Sequence, residues 1–310
     1  MTEQIHIGRD AGKASFLSML CCAVLAAGLS FTAATSALAG EKVAMTLAMR
    51  AQQLGVKAPR ISSDKAVVID QRTGNVLYEK NADTVSPIAS ITKLMTAMVV
   101  IDSDADMNEM LTVTKQDIDT VKRSRSRLPV GSKLKRSQLL RLALMASENR
   151  AASALARHHA GGAAAFVAAM NRKAGELRLD DTVFHDATGL SPKNVSSARD
   201  LVRLVDAAHQ YSRIRNFTTS EKLEVVVKGR KRTYRNTNSL VRSDAWRIGL
   251  SKTGYISEAG KCLVMQAWLN DTPTIIVLLD SWGRKTRLGD ANRIRRWMEK
   301  IVNRDIPLSS

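Results

Sequence analysis

A serine and a lysine lie three residues apart at the beginning of an apolar segment. Ser90 and Lys93 belong to "PIASITKLMTAMVV", in which no glycine or proline follows Pro87. Residues at positions i and i+3 lie on the same face of a helix. A serine hydroxyl becomes a nucleophile when a base takes its proton, and burial can lower the pKa of a lysine enough to make it that base. We therefore predict a nucleophile and its base at the start of a buried helix.

The Ser-x-x-Lys pattern alone does not identify a catalytic serine. It occurs twice more, at Ser62–Lys65 and at Ser132–Lys135. We interpret both segments as polar loops, in which water keeps the lysine protonated. A capping serine beside a surface lysine is the more common meaning of an isolated match.

Two further motifs strengthen the case for chemistry. Ser147 and Asn149 flank a glutamate in a break between two apolar helical segments, and Lys252, Thr253 and Gly254 end the probable strand "IGLSKTG". Taken singly, the first is equally a helix-capping turn and the second a strand end with a solvated lysine. The glycine allows a ligand or another backbone to approach closely. The occurrence of all three motifs in this order favours a shared active site.

The predicted elements place strands at both ends of the chain and helices in the middle. Two short strands flank a turn at 73–75, and further strands are "LEVVV", "KCLVMQAWL" and "TIIVLLD". Between them, Ser137 is expected to cap the helix "QLLRLALMA", and Ser197 with Asp200 to form a capping box. Thr286 to Asn303 has the pattern of an amphipathic helix. Because strands and helices do not alternate, we expect an antiparallel sheet with segregated helices.

The N-terminal residues 1–39 have the features of a secretory signal peptide. Arg9 and Lys13 precede an uncharged stretch that ends in the small-residue sequence "ALA" before Gly40. Cleavage there would release the chain into the periplasm. An uncleaved membrane anchor is the alternative, because the stretch is long enough to span a bilayer.

The rest of the chain is expected to comprise a polar lead-in at 40–63, a catalytic domain at 64–303 and a short tail at 304–310. After signal cleavage Cys262 is the only cysteine left, so no intramolecular disulfide can form, and its apolar surroundings predict a buried thiol. The histidines lack a metal-site spacing such as H-E-x-x-H, and we predict neither a metal nor a cofactor.

The formal net charge of +18 indicates an anionic environment. Secretion and an aromatic content of only 4% argue against nucleic acid as the partner, since few rings are present to stack on bases. An acidic wall polymer or an anionic membrane remains, with loose association through the basic surface. A solvated basic face without a specific partner is the alternative.

The three motifs in this order resemble those of the active-site serine penicillin-recognising enzymes. The segments "PIASITKLMTAMVV", "ASENRAASALA" and "KTGYISEAGKCLVMQAW" are most similar to the low-molecular-mass penicillin-binding proteins, a group of D-alanyl-D-alanine carboxypeptidases and endopeptidases, and within it to the endopeptidase branch. The resemblance covers about residues 60–303. It implies an α+β fold of the β-lactamase/transpeptidase type, with an antiparallel sheet flanked by helices and a mainly helical subdomain.

The resemblance also implies the catalytic roles. Ser90 would attack the carbonyl of the penultimate D-alanine in a peptidoglycan stem peptide while Lys93 takes its proton. Ser147, with Lys252 beside it, would relay a proton to the leaving amine. Water would then release the acyl-enzyme.

The remaining residues would bind the substrate. Asn149 would hold its peptide amide, and the backbone N–H groups of Ser90 and Tyr255 would form the oxyanion hole. Thr253, next to Gly254, would bind its carboxylate. Arg287 would assist as a second cation, with a surface arginine near the helix start as the alternative.

Three sequence features separate the candidate classes of enzyme. The segment "LRLDDTVFHDATGL" lacks the Glu-x-x-Leu-Asn pattern of class A β-lactamases, so a β-lactam is expected to stay attached as a covalent inhibitor. We expect the residues after Gly254 to form two strands and a helix. This leaves no room for the additional C-terminal domain and membrane anchor that many carboxypeptidases of this group have. We also expect no long region before the domain, and therefore no bifunctional glycan polymerase. The prediction is an endopeptidase that cuts cross-links between D-alanine and a diamino acid; the alternatives are a carboxypeptidase, a β-lactamase and an inactive peptidoglycan-binding protein.

Overall fold

The computed structural model describes residues 54–283 and 285–303, except for the side chains of residues 302 and 303. The predicted signal peptide, part of the predicted lead-in and the predicted C-terminal tail lie outside this part of the chain. Within the described ranges, no helix is both long enough and apolar enough to cross a membrane.

One of the three motifs, Lys252 to Gly254, lies on a strand of the structure. The strands of the described residues are β1 (Lys65–Asp70), β2 (Val76–Lys80), β3 (Ser86–Pro87), β4 (Met110–Thr112), β5 (Lys133–Lys135), β6 (Val195–Ser196), β7 (Lys222–Val227), β8 (Arg230–Arg235), β9 (Arg247–Ile256), β10 (Gly260–Leu269) and β11 (Thr272–Ser281). The α-helices of the same ranges are α1 (Lys93–Asp102), α2 (Arg136–Met145), α3 (Asn149–Arg157), α4 (Gly162–Glu176), α5 (Ala198–Gln210), α6 (Ser212–Thr218) and α7 (Thr286–Asn303). Short 3-10 turns occupy Ala89–Thr92, Lys115–Asp117 and Ser239–Arg242.

The central sheet is antiparallel, with its five strands in the order β2-β1-β11-β10-β9. β1 pairs with β11 from Lys65↔Leu279 to Asp70↔Thr274, so early and late parts of the chain meet in the middle of the sheet. β9 lies at the edge and pairs with β10 on one side. The other side of β9 is therefore open to the helical part of the molecule and to ligands.

Two hydrophobic cores lie on opposite faces of this sheet. In β10, Val264 belongs to one core, whereas Leu263 and Met265 belong to the other, as the alternation of side chains along a strand requires. The first core joins the sheet to helices α1–α6. The second lies between the sheet and α7, whose Ile294 and Trp297 are buried. The predicted α+β fold and the amphipathic final helix are confirmed.

The helix caps differ in part from the sequence prediction. Ser137 was expected to cap α2, but the helix begins one residue earlier, at Arg136. β5 runs directly into the helix, and the Lys135 N–H donates to Gln138 Oε1 at 3.0 Å. Ser197 does cap α5, because its Oγ accepts from the Asp200 N–H at 3.1 Å.

The carboxylate of Asp200 does not complete the predicted capping box. It accepts instead from the Asp181 N–H and from Thr182 Oγ1, both at 2.8 Å. Asp200 is 1% exposed, so these bonds fix the segment after α4 to the start of α5 in the interior. The side chain that the sequence pattern assigned to a helix cap thus joins a loop to the helix.

A tight loop after α4 presses against the turn that carries Ser90. The carboxylate of Asp186 accepts from the N–H groups of Gly189 at 2.6 Å and Ser191 at 2.7 Å. Gly189 has φ +79°, and a Cβ added there would lie 2.0 Å from the carbonyl oxygen of Ala89. Only glycine allows this approach, and the loop thereby sets the position of the Ala89–Ser90 backbone.

Replacing Gly189 by alanine is expected to destabilise the protein by at least about 3 kcal/mol, because backbone strain and a clash with the Ala89 carbonyl add together. Gly74→Ala is the matched control: Gly74 has φ +75° but nothing within 4 Å of an added Cβ, so it should cost about 1 kcal/mol. Urea unfolding of both variants measures the difference. Equal losses would show that the loop does not constrain the Ser90 turn.

Candidate active site

Ser90 lies where the helical part of the molecule meets the edge strand of the sheet. It belongs to the 3-10 turn that leads into α1, and its neighbours Ala89 and Ile91 are fully buried. A cavity of about 530 Å³ opens above it. Its walls come from this turn, from the segment between α2 and α3, from β9 and from the first turn of α7; they include Ser90, Ser147, Asn149, Thr253, Gly254, Tyr255 and Arg287.

Lys93 lies beneath the cavity with three hydrogen-bond acceptors around it. Its Nζ donates to Ser90 Oγ and to Asn149 Oδ1, each at 2.8 Å. It also donates to the main-chain carbonyl of Thr188, in the loop that presses on the Ser90 turn. All three acceptors are neutral oxygens, and the side chain is fully buried.

Burial lowers the pKa of Lys93 to about 7, although the carboxylates of Asp186, Glu148 and Asp119 act in the opposite direction. Desolvation dominates because none of these carboxylates touches the amine. Near neutral pH, a large fraction of the Lys93 side chain therefore has the free electron pair that a base needs.

Lys65 provides an internal contrast. We interpreted its segment as a polar loop, which is wrong: Lys65 lies in β1 and is 6% exposed. Burial alone would lower its pKa, but ion pairs with Asp64 and Asp280 outweigh burial and raise it. Burial beside carboxylates makes a structural cation, whereas burial beside neutral oxygens makes a base.

A second serine–lysine pair faces the same cavity. Lys252 Nζ donates to Ser147 Oγ at 2.9 Å and to the carbonyl of Thr253 at 2.8 Å. Burial lowers the pKa of Lys252 well below its usual value, and the positive charges of Lys93 and Arg287 lower it further. Ser147 has φ +56°, an uncommon value for serine that turns its side chain towards Lys252 at the break between α2 and α3.

The edge strand β9 forms one wall of the cavity. A Cβ added at Gly254 would lie 3.0 Å from the carbonyl oxygen of Ile88 and 3.2 Å from the Ser90 nitrogen, so the strand passes directly beside the turn. Thr253 Oγ1 and Thr237 Oγ1 are 2.6 Å apart. Tyr255 follows on the open side and is 60% exposed. The backbone of this edge is free to pair with an extended peptide.

The structure places Arg287 in the cavity wall rather than on the open surface. Its side chain is half-buried, and Nε and Nη1 have no hydrogen-bond partner within the described part of the chain. Burial lowers its pKa. An unpaired guanidinium at this position suits a carboxylate, which it can bind through two parallel hydrogen bonds.

Several residues of the site were missed by sequence reasoning. Ser124 Oγ accepts from Asn149 Nδ2 at 3.0 Å, and Lys122 in the cavity wall pairs with Glu258 across from it. Both belong to a basic stretch whose composition indicates only a polar loop. Thr237 belongs to none of the three sequence motifs.

Neither the free cysteine nor a metal site contributes to this cavity in the described part of the chain. Cys262 is fully buried in β10, and burial raises the pKa of its thiol to about 11. Among the described residues, no three side chains of His, Cys, Asp or Glu lie together in a way that would hold a metal ion.

Comparison with known proteins agrees with this geometry. The model of the D-alanyl-D-alanine carboxypeptidase family matches residues 52–283. The chain is 47% identical over 241 residues to the D-alanyl-D-alanine endopeptidase of Pseudomonas aeruginosa, covering 77% of this chain and 78% of that protein. It is 44% identical over 243 residues to the D-alanyl-D-alanine endopeptidase of Escherichia coli, covering 78% of each. The Streptomyces K15 DD-transpeptidase structure has a TM-score of 0.73 at 30% identity, covering 79% of this chain and 100% of that one.

The chain therefore belongs to the D-alanyl-D-alanine carboxypeptidase family of serine peptidases. The resemblance found in the three motifs and the β-lactamase/transpeptidase-like fold are confirmed. The chain is accordingly a serine-type D,D-peptidase.

Replacing Glu148 by glutamine should move the pKa of Lys93 below about 7, because the carboxylate of Glu148 favours the charged amine. The amide can still accept from Ser126 Oγ, as the carboxylate does now. An NMR titration of isotope-labelled lysine side chains reports the change. Glu221→Gln is the control, since Glu221 is not among the charges that act on Lys93. An unchanged or higher pKa in E148Q would contradict the electrostatic account.

Proposed function

We propose that this protein is a peptidoglycan D,D-endopeptidase that works through an acyl-enzyme on Ser90. The observation that carries the proposal is the 2.8 Å hydrogen bond between Ser90 Oγ and Lys93 Nζ, together with the pKa of about 7 for that amine. A nucleophile in direct contact with a base that is partly neutral at physiological pH is what acyl transfer requires.

In the first step, Ser90 Oγ forms a bond to the carbonyl carbon of D-alanine, and its proton moves to neutral Lys93. The carbonyl oxygen becomes an oxyanion beside the backbone N–H groups of Ser90 and Tyr255. Such donors stabilise the developing charge more in a dry cavity than in water. The close approach of β9 to the Ser90 turn at Gly254 supports this assignment.

In the second step, the carbon–nitrogen bond breaks and the leaving amine takes a proton. Ser147 is assigned this delivery because its hydroxyl is bonded to Lys252 and faces the same cavity as Ser90. Asn149 holds the peptide amide of the substrate. Thr253 and Arg287 bind the carboxylate that follows the scissile bond. Hydrolysis of the ester then restores Ser90.

The endopeptidase assignment rests on the names of the two bacterial relatives that are 47% and 44% identical. A carboxypeptidase is the alternative within the family, since other relatives carry that name. The described residues that line the cavity include no carboxylate, which disfavours a β-lactamase and supports a long-lived adduct with β-lactams.

We assign the protein to the periplasm, on the signal-like residues 1–39. The net charge of +18 supports loose association with the acidic wall polymer or with an anionic membrane. Peptidoglycan and covalent β-lactam inhibitors are the proposed partners.

A defined mixture of a cross-linked muropeptide dimer and a pentapeptide monomer tests the reaction. The protein should convert the dimer to monomers, because the proposed cleavage lies at the cross-link, and Ser90→Ala should leave both unchanged. Chromatography with mass detection follows the two substrates separately.

Each result in this mixture has a defined meaning. Loss of only the terminal D-alanine would make the protein a carboxypeptidase and reject the endopeptidase assignment. Cleavage that persists in Ser90→Ala would reject the acyl-enzyme. If neither substrate changes while a labelled penicillin still binds, the protein is an inactive binder.

Replacing Arg287 by glutamine should lower kcat/KM roughly 10- to 100-fold for substrates with a free terminal carboxylate, the usual effect of losing a hydrogen bond to a charged group. Substrates with an amidated terminus should be hydrolysed equally by both proteins. The test is therefore the loss of carboxylate preference, measured as a ratio of kcat/KM values. A uniform fall for both substrate types would indicate a structural role for Arg287.

A further inference from the structure

A second cavity, of about 390 Å³, lies between segment 55–60 and helix α7. It shares no lining residue with the cavity above Ser90. Its described lining contains five cations and no carboxylate: Lys57, Arg60, Arg293, Arg296 and Lys300, with Trp297 among them.

The helix and the segment are fixed to each other around this cavity. Arg293, Arg296, Trp297 and Lys300 have the spacing i, i+3, i+4 and i+7, which places them on one face of α7. Buried Asp290 accepts from the Ser62 N–H at 3.1 Å and the Ser63 N–H at 2.7 Å, which anchors the residues directly after this segment to the same helix. The cations therefore converge on a structured concave surface.

The positive charge of this cavity is largely uncompensated. Arg293 pairs with Asp290, but the other four cations have no ion pair within the described ranges. By contrast, a cavity lined by Arg295 and Glu299 of helix α7 combines Arg247 with Asp244 and Asp271. A concave surface with charges of one sign concentrates the field and attracts ligands of the opposite sign.

The indole N–H of Trp297 is evidence that the cavity binds a ligand. Its side chain is 7% exposed and lines the cavity, yet its Nε1 has no hydrogen-bond partner among the described residues. Buried indole N–H groups normally have one. An oxygen-bearing anion in the cavity is the kind of group that would satisfy it after a small adjustment.

We propose that this cavity is a second binding site for the peptidoglycan, where it holds carboxylates of stem peptides outside the cleavage site. The proposal rests on the proposed function, because it takes the substrate to be that polymer. Arginine suits carboxylates through paired hydrogen bonds. A membrane surface is less suited, because membrane-binding faces insert apolar side chains, and the strongly exposed Trp282 and Tyr255 do not line this cavity.

Helix α7 connects the two sites. Arg287, in its first turn, lines the active-site cavity, and Arg293 follows six residues later, about 9 Å along the axis, while Lys300 is about 20 Å away. Stem peptides recur along the polymer, so one molecule can occupy both sites. Binding at the second site then raises the effective concentration of cross-links at Ser90, but a small soluble fragment gains nothing.

The charge-reversal variant R60E/R296E/K300E tests the second site and leaves Arg293 and Trp297 in place. R213E/K222E/R230E is the matched control, since it reverses two arginines and one lysine that are exposed and lie outside the cavity. Both sets are made in the full chain, with and without Ser90→Ala, which prevents digestion during binding. Cosedimentation with insoluble peptidoglycan gives the affinity, and hydrolysis of soluble muropeptide dimer gives the activity.

The cavity variant should bind insoluble peptidoglycan at least tenfold more weakly and digest it more slowly, while its activity on soluble dimer stays within twofold of the parent. The control should keep both properties. Equal losses of peptidoglycan binding in the two variants would show that only the net charge matters and would overturn the proposal. Unchanged binding in the cavity variant would overturn it as well.

Two further outcomes separate this proposal from others. If vesicles of anionic phospholipid bind through these residues and peptidoglycan does not, the occupant is a membrane and the proposal is wrong. If the parent protein fails to cleave soluble dimer but still requires Arg60, Arg296 and Lys300 to bind peptidoglycan, the proposed function fails and the second site stands.

Discussion

The burial of Lys93 without a contacting carboxylate is the constraint on which the rest of the site depends. Its pKa falls from 10.5 to about 7, which corresponds to about 5 kcal/mol of lost preference for the charged form. The unfolded chain binds the proton more tightly, so this penalty is full below pH 7 and disappears as the pH rises from about 7 to 10.5. The fold has to supply that free energy from elsewhere, and the large first core around α1 is the available source.

The same constraint explains why distant segments meet at Ser90. The amine needs neutral acceptors, and these come from the turn before α1, from Asn149 at the start of α3 and from the carbonyl of Thr188. The carbonyl can reach Lys93 because Gly189 lets its loop touch the backbone of Ala89. The same few close backbone contacts therefore position both Lys93, the proposed base, and Ser90, the proposed nucleophile.

The sequence predicted the parts of this arrangement that depend on residue type and order. The three motifs, the antiparallel sheet and the final helix follow from local patterns. Thr188 contributes only a main-chain carbonyl, and Ser124 and Thr237 become neighbours of the site through tertiary folding, so no local signal distinguishes them. Lys65 shows the converse limit: its pattern matched, but only the structure reveals a buried lysine neutralised by Asp64 and Asp280. Local sequence does not report burial or the charge of a distant neighbour.

Two buried lysines in one small cavity also order the proposed proton transfers. The charge of Lys93 is among the causes that lower the pKa of Lys252, so a proton bound at Lys93 disfavours a proton at Lys252. In the proposed first step Lys93 takes the proton of Ser90, and its new charge would lower the pKa of Lys252 further. Lys252 is bonded to Ser147 Oγ, the group assigned to protonate the leaving amine. In the proposed mechanism, a proton accepted at Lys93 would therefore favour release of a proton from Lys252 towards Ser147, and the charge of Arg287 acts on Lys252 in the same direction.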